Sequence, residues 1–242
     1  MPASVSNHGR RPTLCAVDLG ASGGKVFAGI FDEGRLTLKE VHRFPNGAQR
    51  LWLQPLVAKD SPPVEKLYWN ELMLYGQVID GLRKLAADPE CRPVALGIDT
   101  WGSDGAFLTA SGDLLGHIHC YRDHRLDNVR DEMNRIAGER WLFDVTGMPA
   151  QSFNVGTQLF WASRHQPDIL AAAAGFVPLV SLLYYYLCGE RLAEHTRMSV
   201  CGLMTAGKPE YSADLFERLG LPLHLMPPIV QPGTRLGGLH EP

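Results

Sequence analysis

The chain has 242 residues, 45% of them hydrophobic and 20% charged, with a formal net charge of −3. This is an ordinary globular composition, long enough to bury a sizeable core without disulfide staples. The slightly acidic balance argues against nucleic acid and anionic membrane surfaces as partners, and no apolar run is long enough to span a bilayer.

Five cysteines (Cys15, Cys91, Cys120, Cys188, Cys201) are odd in number and scattered. They read as reduced thiols of a cytoplasmic protein. Residues 1–12 carry Arg10 and Arg11 but no apolar core after them, and read as a loose tail rather than a signal peptide. Thr13 to Val17 is short and apolar, a buried strand, and Val26 to Phe31 is a second. After the tight turn Asp32-Glu33-Gly34-Arg35, Leu36, Leu38 and Val41 mark a third strand ending near Phe44. The chain therefore opens as an antiparallel meander. Residues 45–66 mix proline, glycine and charge without a period and read as a loop. Asn70 caps a helix whose apolar face is Leu72, Tyr75, Val78, Ile79, Leu82 and Leu85. Val94 to Ile98 is a strand, and Ala106 to Leu108 a shorter one.

The rest is mostly helical. Helical spacing covers Arg125 to Ile136, Thr157 to Arg164, Pro167 to Ala174 and Val180 to Leu187, the last ended by Gly189. Ser212 caps a helix to Leu219, and the chain is then rich in proline and glycine to Pro242.

Three stretches could carry chemistry. Asp18-Leu19-Gly20-Ala21-Ser22-Gly23-Gly24-Lys25 places an acid, a glycine-rich turn and a cation between two strands. Glycines let a ligand approach the main chain, and successive N–H groups can cradle an anion. The alternative is a hairpin turn whose aspartate caps its own backbone. The spacing is neither that of a P-loop nor that of a dinucleotide fingerprint. Asp99, like Asp18, closes a strand before a glycine-containing turn, and Asp104 follows five residues later. Ligands of open α/β sheets bind outside the carboxyl ends of strands, so two acids there suit a cation and a phosphate. Trp101-Gly102 offers an aromatic face beside open main chain, which suits a sugar or a tight turn over a core tryptophan. Tyr121 to Arg125 mixes an acid with cations, as a hydroxyl-binding set or a solvated helix start. His117 and His119 resemble a metal pair without a third ligand.

Together, Ala16 to Lys25, His42-Arg43-Phe44, Trp69-Asn70, Gly97 to Asp104 and Tyr121-Arg122-Asp123 resemble, in order, the FGGY family of carbohydrate kinases, and within it the rhamnulokinase branch. The resemblance implies an α/β fold of the ribonuclease H-like kind shared by sugar kinases, Hsp70 and actin, with a mixed sheet that opens as a three-strand meander and is flanked by helices. Residues 13–242 would form the N-terminal domain. It implies transfer of the ATP γ-phosphate to a sugar hydroxyl, the 1-hydroxyl of L-rhamnulose in that branch, with ATP and Mg²⁺ as cofactors. On that resemblance Ala21, Ser22, Gly23, Gly24 and Lys25 meet the phosphates and Asp18 holds Mg²⁺ through water. Gly102 contacts the sugar, with Trp101 and Asp104 as nearby walls. The family's catalytic aspartate lies after the first domain, in a His-Asp or Gly-Asp motif; the one such pair here, Gly112-Asp113, lies well inside the first domain, so a C-terminal domain beyond Pro242 is expected to supply the base. The isolated chain is expected to be inactive. Lys25 stands where the family has arginine, Gly105 where rhamnulokinases have phenylalanine, and Thr196-Arg197-Met198-Ser199 replaces a Thr-Asn-Ala-Ser-like segment. These departures keep another ketose or a polyol in play as substrate. A non-catalytic sugar-binding module is a second class, and a polyphosphate hydrolase on the same fold ranks last.

Overall fold

A computed structural model describes residues 11–57 and 59–240. Most of the expected tail lies outside these residues. Strand β1 (Arg11–Gly20) begins two residues before the expected Thr13. The chain divides into two compact units, residues 1–47 with 70–101 and residues 48–69 with 102–242.

The first unit is the predicted meander plus one helix and one strand. β1, β2 (Gly23–Asp32) and β3 (Arg35–Pro45) pair antiparallel, and β6 (Cys91–Thr100) joins β1 in parallel, giving the order β3-β2-β1-β6. Helix α1 (Glu71–Ala87) makes the crossover between them. The Asn70 side chain accepts from the Met73 N–H, as expected of its N-cap. Strand alternation puts Cys15, Val17, Leu19, Val26, Ala28 and Ile30 in the core, with Leu74, Val78 and Leu85 of α1 buried as well. Gly81 lets the helix come close: a Cβ there would lie 2.4 Å from Val26 Cγ2.

The second unit carries the rest. Residues 45–66, expected as a loop, contain the antiparallel hairpin β4 (Gln49–Leu53) and β5 (Val64–Tyr68). Every residue of β4 is exposed, so burial imposes no alternation that the sequence could show. Main-chain bonds from Trp69 N–H to Ile118 and from Cys120 N–H to Leu67 lay segment 118–120 along β5. β7 (Gly105–Leu108) pairs antiparallel with β8 (Gly175–Pro178).

The helix expected over 125–136 is broken. His124–Leu126 is one 3₁₀ turn, Asn128 is left-handed at φ 65°, and α2 (Val129–Ala137) starts after it. Gly138 at φ 90° separates α2 from α3 (Glu139–Thr146), a helix the periodicity did not reveal. α4 (Val155–His165), α5 (Pro167–Ala172) and α6 (Leu179–Cys188) match the expected helices, with Gly189 left-handed at the end of α6. The two-residue strand β9 (Ala193–Glu194) leads into α7 (His195–Ser199), and α8 (Ala213–Leu219) starts at Ser212 as predicted. Ile229–Val230 (β10) pairs in parallel with β9 in the proline-rich end. The core of this unit joins Met133, Leu142, Leu159, Phe160, Met198 and Phe216. Among the described residues no helix is long and apolar enough to cross a membrane.

Gly81→Ala is expected to destabilise the chain by about 1–3 kcal/mol, because the overpacking against Val26 exceeds the gain of about 1 kcal/mol in helix propensity. A lowered urea midpoint, partly restored by adding Val26→Ala, would bear this out.

Candidate functional site

In the first unit, strand register gathers the charged residues. Across the sheet, Arg43 of β3 lies opposite Lys25 of β2, Lys25 opposite Asp18 of β1, and Asp18 beside Asp99 of β6. Cross-strand partners share a face, so two cations and two carboxylates form one row, with neighbouring strands about 4.8 Å apart. Asp18, Asp99 and Arg43 are exposed and Lys25 is half-buried. Arg43 was not singled out in the sequence as a site residue. Its only signal was its place in the His42-Arg43-Phe44 segment. Its guanidinium forks onto Glu40, at 2.9 Å from Nε and 2.5 Å from Nη2.

The glycine-rich stretch is a tight hairpin turn, with Gly20 paired to Gly23. Asn46 ties the turn down, donating from its side chain to Gly20 O at 2.9 Å and from its main chain to Ser22 O at 3.2 Å. Close packing accounts for Gly24, since a Cβ would fall 2.2 Å from the Phe44 ring. Asp18, Ser22, Gly23, Gly24, Lys25 and Arg43 line one open depression. Ala21 is half-buried in the turn.

A hydrated Mg²⁺ needs only one or two carboxylates, with water and phosphate oxygens completing its octahedron. Asp18 and Asp99 at adjacent strand ends fit that demand, and Lys25 and Arg43 fit phosphate oxygens. Among the described residues no group of three or more His, Cys, Asp or Glu could hold a metal ion.

Trp101 is half-buried at the end of the first unit. In the second unit, Gly102 is exposed, and a Cβ there would meet only Val200, at 3.8 Å. Asp104 is fully buried at φ 70°. Its Oδ2 accepts from Trp69 Nε1 at 2.7 Å and its Oδ1 from Gln158 Nε2 at 2.9 Å. Both carboxylate oxygens are thus engaged by the protein itself. Gln158 Oε1 in turn accepts from Arg125 Nη2 at 3.0 Å. Gly105 is held glycine by Phe176, whose ring atom Cζ would lie 2.2 Å from a Cβ there.

The Tyr121 to Arg125 cluster is largely a structural clamp. Asp123 is buried and accepts from the Leu67 and Arg125 N–H groups at 2.7 and 2.9 Å. Burial pushes its carboxyl up, but those two N–H groups and the charge of Arg125 outweigh it and hold the pKa below the usual range. His119 is neutral at physiological pH: burial first, and the charge of Arg125 second, lower its pKa to about 3.

A family model described as the FGGY family of carbohydrate kinases, N-terminal domain, matches residues 58–242. The chain belongs to the FGGY family. Its curated relatives include the rhamnulokinase of Oceanobacillus iheyensis, 32% identical over 225 residues, which are 93% of this chain and 45% of that protein. The rhamnulokinase of Enterococcus faecalis is 33% identical over 230 residues, 94% of this chain and 43% of that protein. The FGGY chain described here therefore spans less than half the length of these relatives. The crystal structure of gluconate kinase from Lactobacillus acidophilus superposes with a TM-score of 0.78 at 14% identity, covering 95% of this chain and 44% of that one. At that identity the likeness speaks for the fold, the sugar-kinase form of the ribonuclease H-like α/β architecture.

Two measurements check this account. Asn tolerates the left-handed backbone of Asp104, but its amide would turn a donor towards Trp69 Nε1 or Gln158 Nε2. Asp104→Asn should therefore cost about 1–3 kcal/mol in urea unfolding. For His119, the unfolded chain takes up a proton near pH 6.5 and the folded chain only near about 3. The unfolded state holds more protons between these values, so this contribution is complete above pH 6.5 and declines as pH falls towards 3. The stability–pH curve of His119→Gln should lack that part of the slope.

Proposed function

We propose that the chain is the sugar-binding and phosphate-contacting half of an ATP-dependent carbohydrate kinase that phosphorylates the 1-hydroxyl of L-rhamnulose. The row Arg43, Lys25, Asp18, Asp99 carries the reading, with the rhamnulokinase relatives in support. Phosphoryl transfer depends on positioning and on neutralising phosphate charge, and Mg²⁺ supplies part of that neutralisation when bound. In this reading Asp18 holds the ion through water, with Asp99 beside it. Lys25, with the main chain of Ala21, Ser22, Gly23 and Gly24, meets the phosphate oxygens. Lysine acts there as a point charge without arginine's bidentate fork. Gly102 leaves its main chain open to a sugar hydroxyl, and Trp101 offers an aromatic face. Asp104 serves the sugar side by holding Trp69 and Gln158 in place. In this reading the proton acceptor for the sugar hydroxyl, and the domain that completes the ATP site and excludes water, lie outside this chain, a reading supported by its covering 45% of the Oceanobacillus iheyensis relative. A cytoplasmic location fits the free cysteines, Cys15, Cys91, Cys120, Cys188 and Cys201.

One observation favours a second substrate reading, another ketose or a polyol. Phe176 fills the space beside Gly105, so the phenylalanine that rhamnulokinases carry at that position has no room here.

In the intact kinase, Asp18→Asn should lower kcat/KM on the order of 10²-fold, and Lys25→Ala should weaken ATP use by about 10–100-fold. The 242-residue chain alone should show no sugar-dependent ATP turnover. Kinase-like turnover by that chain would overturn the placing of the proton acceptor. A panel of ketoses and polyols with a better substrate than L-rhamnulose would establish the second reading.

A further inference from the structure

Two tight turns join the three antiparallel strands of the first unit, and their backbones differ in hand. The β2–β3 turn closes with Asp32 opposite Arg35, and its central residues are left-handed, Glu33 at φ 46° and Gly34 at φ 78°. Two left-handed residues give a two-residue loop the twist of the strands it joins. The β1–β2 turn closes in the same way, with Gly20 opposite Gly23, yet no residue from Gly20 to Gly24 is left-handed. A loop of that hand splays its strands, so this turn needs holding from outside.

The end of β3 holds it. Asn46 Nδ2 donates to Gly20 O at 2.9 Å, and Asn46 N–H donates to Ser22 O at 3.2 Å. One residue thus fixes carbonyls at both ends of the Ala21-Ser22 loop. Asn46 Oδ1 is buried and accepts nothing among the described residues, so donation to Gly20 is what the side-chain amide contributes. A trans peptide is planar, with its C=O and the following N–H pointing opposite ways. Carbonyls of Gly20 and Ser22 held towards Asn46 therefore turn the N–H groups of Ala21 and Gly23 away from it. Ser22, Gly23, Gly24 and Lys25 border the open depression, and Asn46 does not. Asn46 acts from behind the turn, on the direction of its amides.

We propose that Asn46 is a positioning residue for nucleotide. It sets the direction in which the main-chain N–H groups of the turn meet the ATP phosphates, and so governs affinity for ATP without touching ATP or the sugar. The proposal rests on the reading of this turn as the phosphate contact.

Steady-state kinetics of the intact kinase separate this role from a structural one. Asn46→Ala should raise KM for ATP by about tenfold, the scale of one lost hydrogen bond, and leave KM for the sugar unchanged. Asn46→Asp keeps the shape and removes the donor. It should act in the same direction, and it serves where thermal melting shows that Asn46→Ala does not fold. Gly34→Ala strains the left-handed β2–β3 turn instead, so it should lower the melting temperature and leave both KM values alone. Loss of stability reduces the amount of active enzyme, which does not move a KM. Amide NMR on the 242-residue chain reads the turn directly. The Ala21, Gly23 and Gly24 signals should shift with added MgATP, and in Asn46→Ala the same shift should need about tenfold more nucleotide.

An unchanged KM for ATP in both Asn46 variants would overturn the proposal and leave the kinase reading standing. So would an equal rise in KM for ATP and for the sugar, or the same rise in Gly34→Ala. Turn signals that ignore MgATP in the wild-type chain would remove the phosphate contact, and the proposal with it. A protein whose turn responds to MgATP but which phosphorylates no sugar would sink the kinase reading alone, and the NMR comparison would still decide the role of Asn46.

Discussion

The buried carboxylate of Asp104 is the constraint on which much of the second unit depends. A charge with no solvent exposure is tolerated only if every lone pair in need is met. Trp69 Nε1 and Gln158 Nε2 meet it directly, and Leu179 N–H donates to its main-chain oxygen at 3.2 Å. Gln158 then passes its own oxygen to Arg125, whose other amino group holds Cys120 O. One buried acid thus connects the end of β5, the helix α4 and the segment before α2. The left-handed backbone at Asp104 and the missing Cβ at Gly105 belong to the same arrangement, since the Phe176 ring occupies the space beside Gly105.

The first unit owes its charged row to two irregularities of register. Between Val26 and Phe27 the pairing of β2 with β3 shifts by one residue, and Val41 is the extra one. Between Thr13 and Leu14 the pairing of β1 with β6 shifts likewise, past Val94. A one-residue slip moves every later side chain to the other face. Without the first bulge His42, not Arg43, would oppose Lys25. Without the second Ile98, not Asp99, would lie beside Asp18. The row of two cations and two acids therefore exists because both strands are bulged. On the same face, away from the row, Leu14, Phe31, Leu36 and Leu38 are exposed, while α1 packs on the opposite face of the sheet.

The glycines of the turn show which part of an ambiguous reading geometry decides. The sequence left open a ligand cradle or a plain hairpin turn. The structure shows a hairpin tied by Asn46 and packed by Phe44, and the same turn borders the depression lined by Lys25 and Asp18. A steric reason for Gly24 does not compete with a ligand-binding role for the turn, because close packing on one side is what holds the other side in shape.

Much of the architecture was legible in the sequence, because the signals were local. Alternating apolar residues marked β1 and β2, Asn70 and Ser212 capped their helices, and Gly189 ended α6. Where burial imposed no pattern, as along the wholly exposed β4, the strand was invisible. Where a left-handed residue broke the chain, as at Asn128, helical spacing ran on through a boundary it could not detect. The sequence by itself determined the fold class, the glycine turn and the acids that close β1 and β6. Only the tertiary structure decided that Arg43 joins Lys25 and that Asp104 is spent on Trp69 and Gln158. Periodicity reports which residues are buried, whereas register, bulges and buried hydrogen bonds between distant segments decide which of them meet.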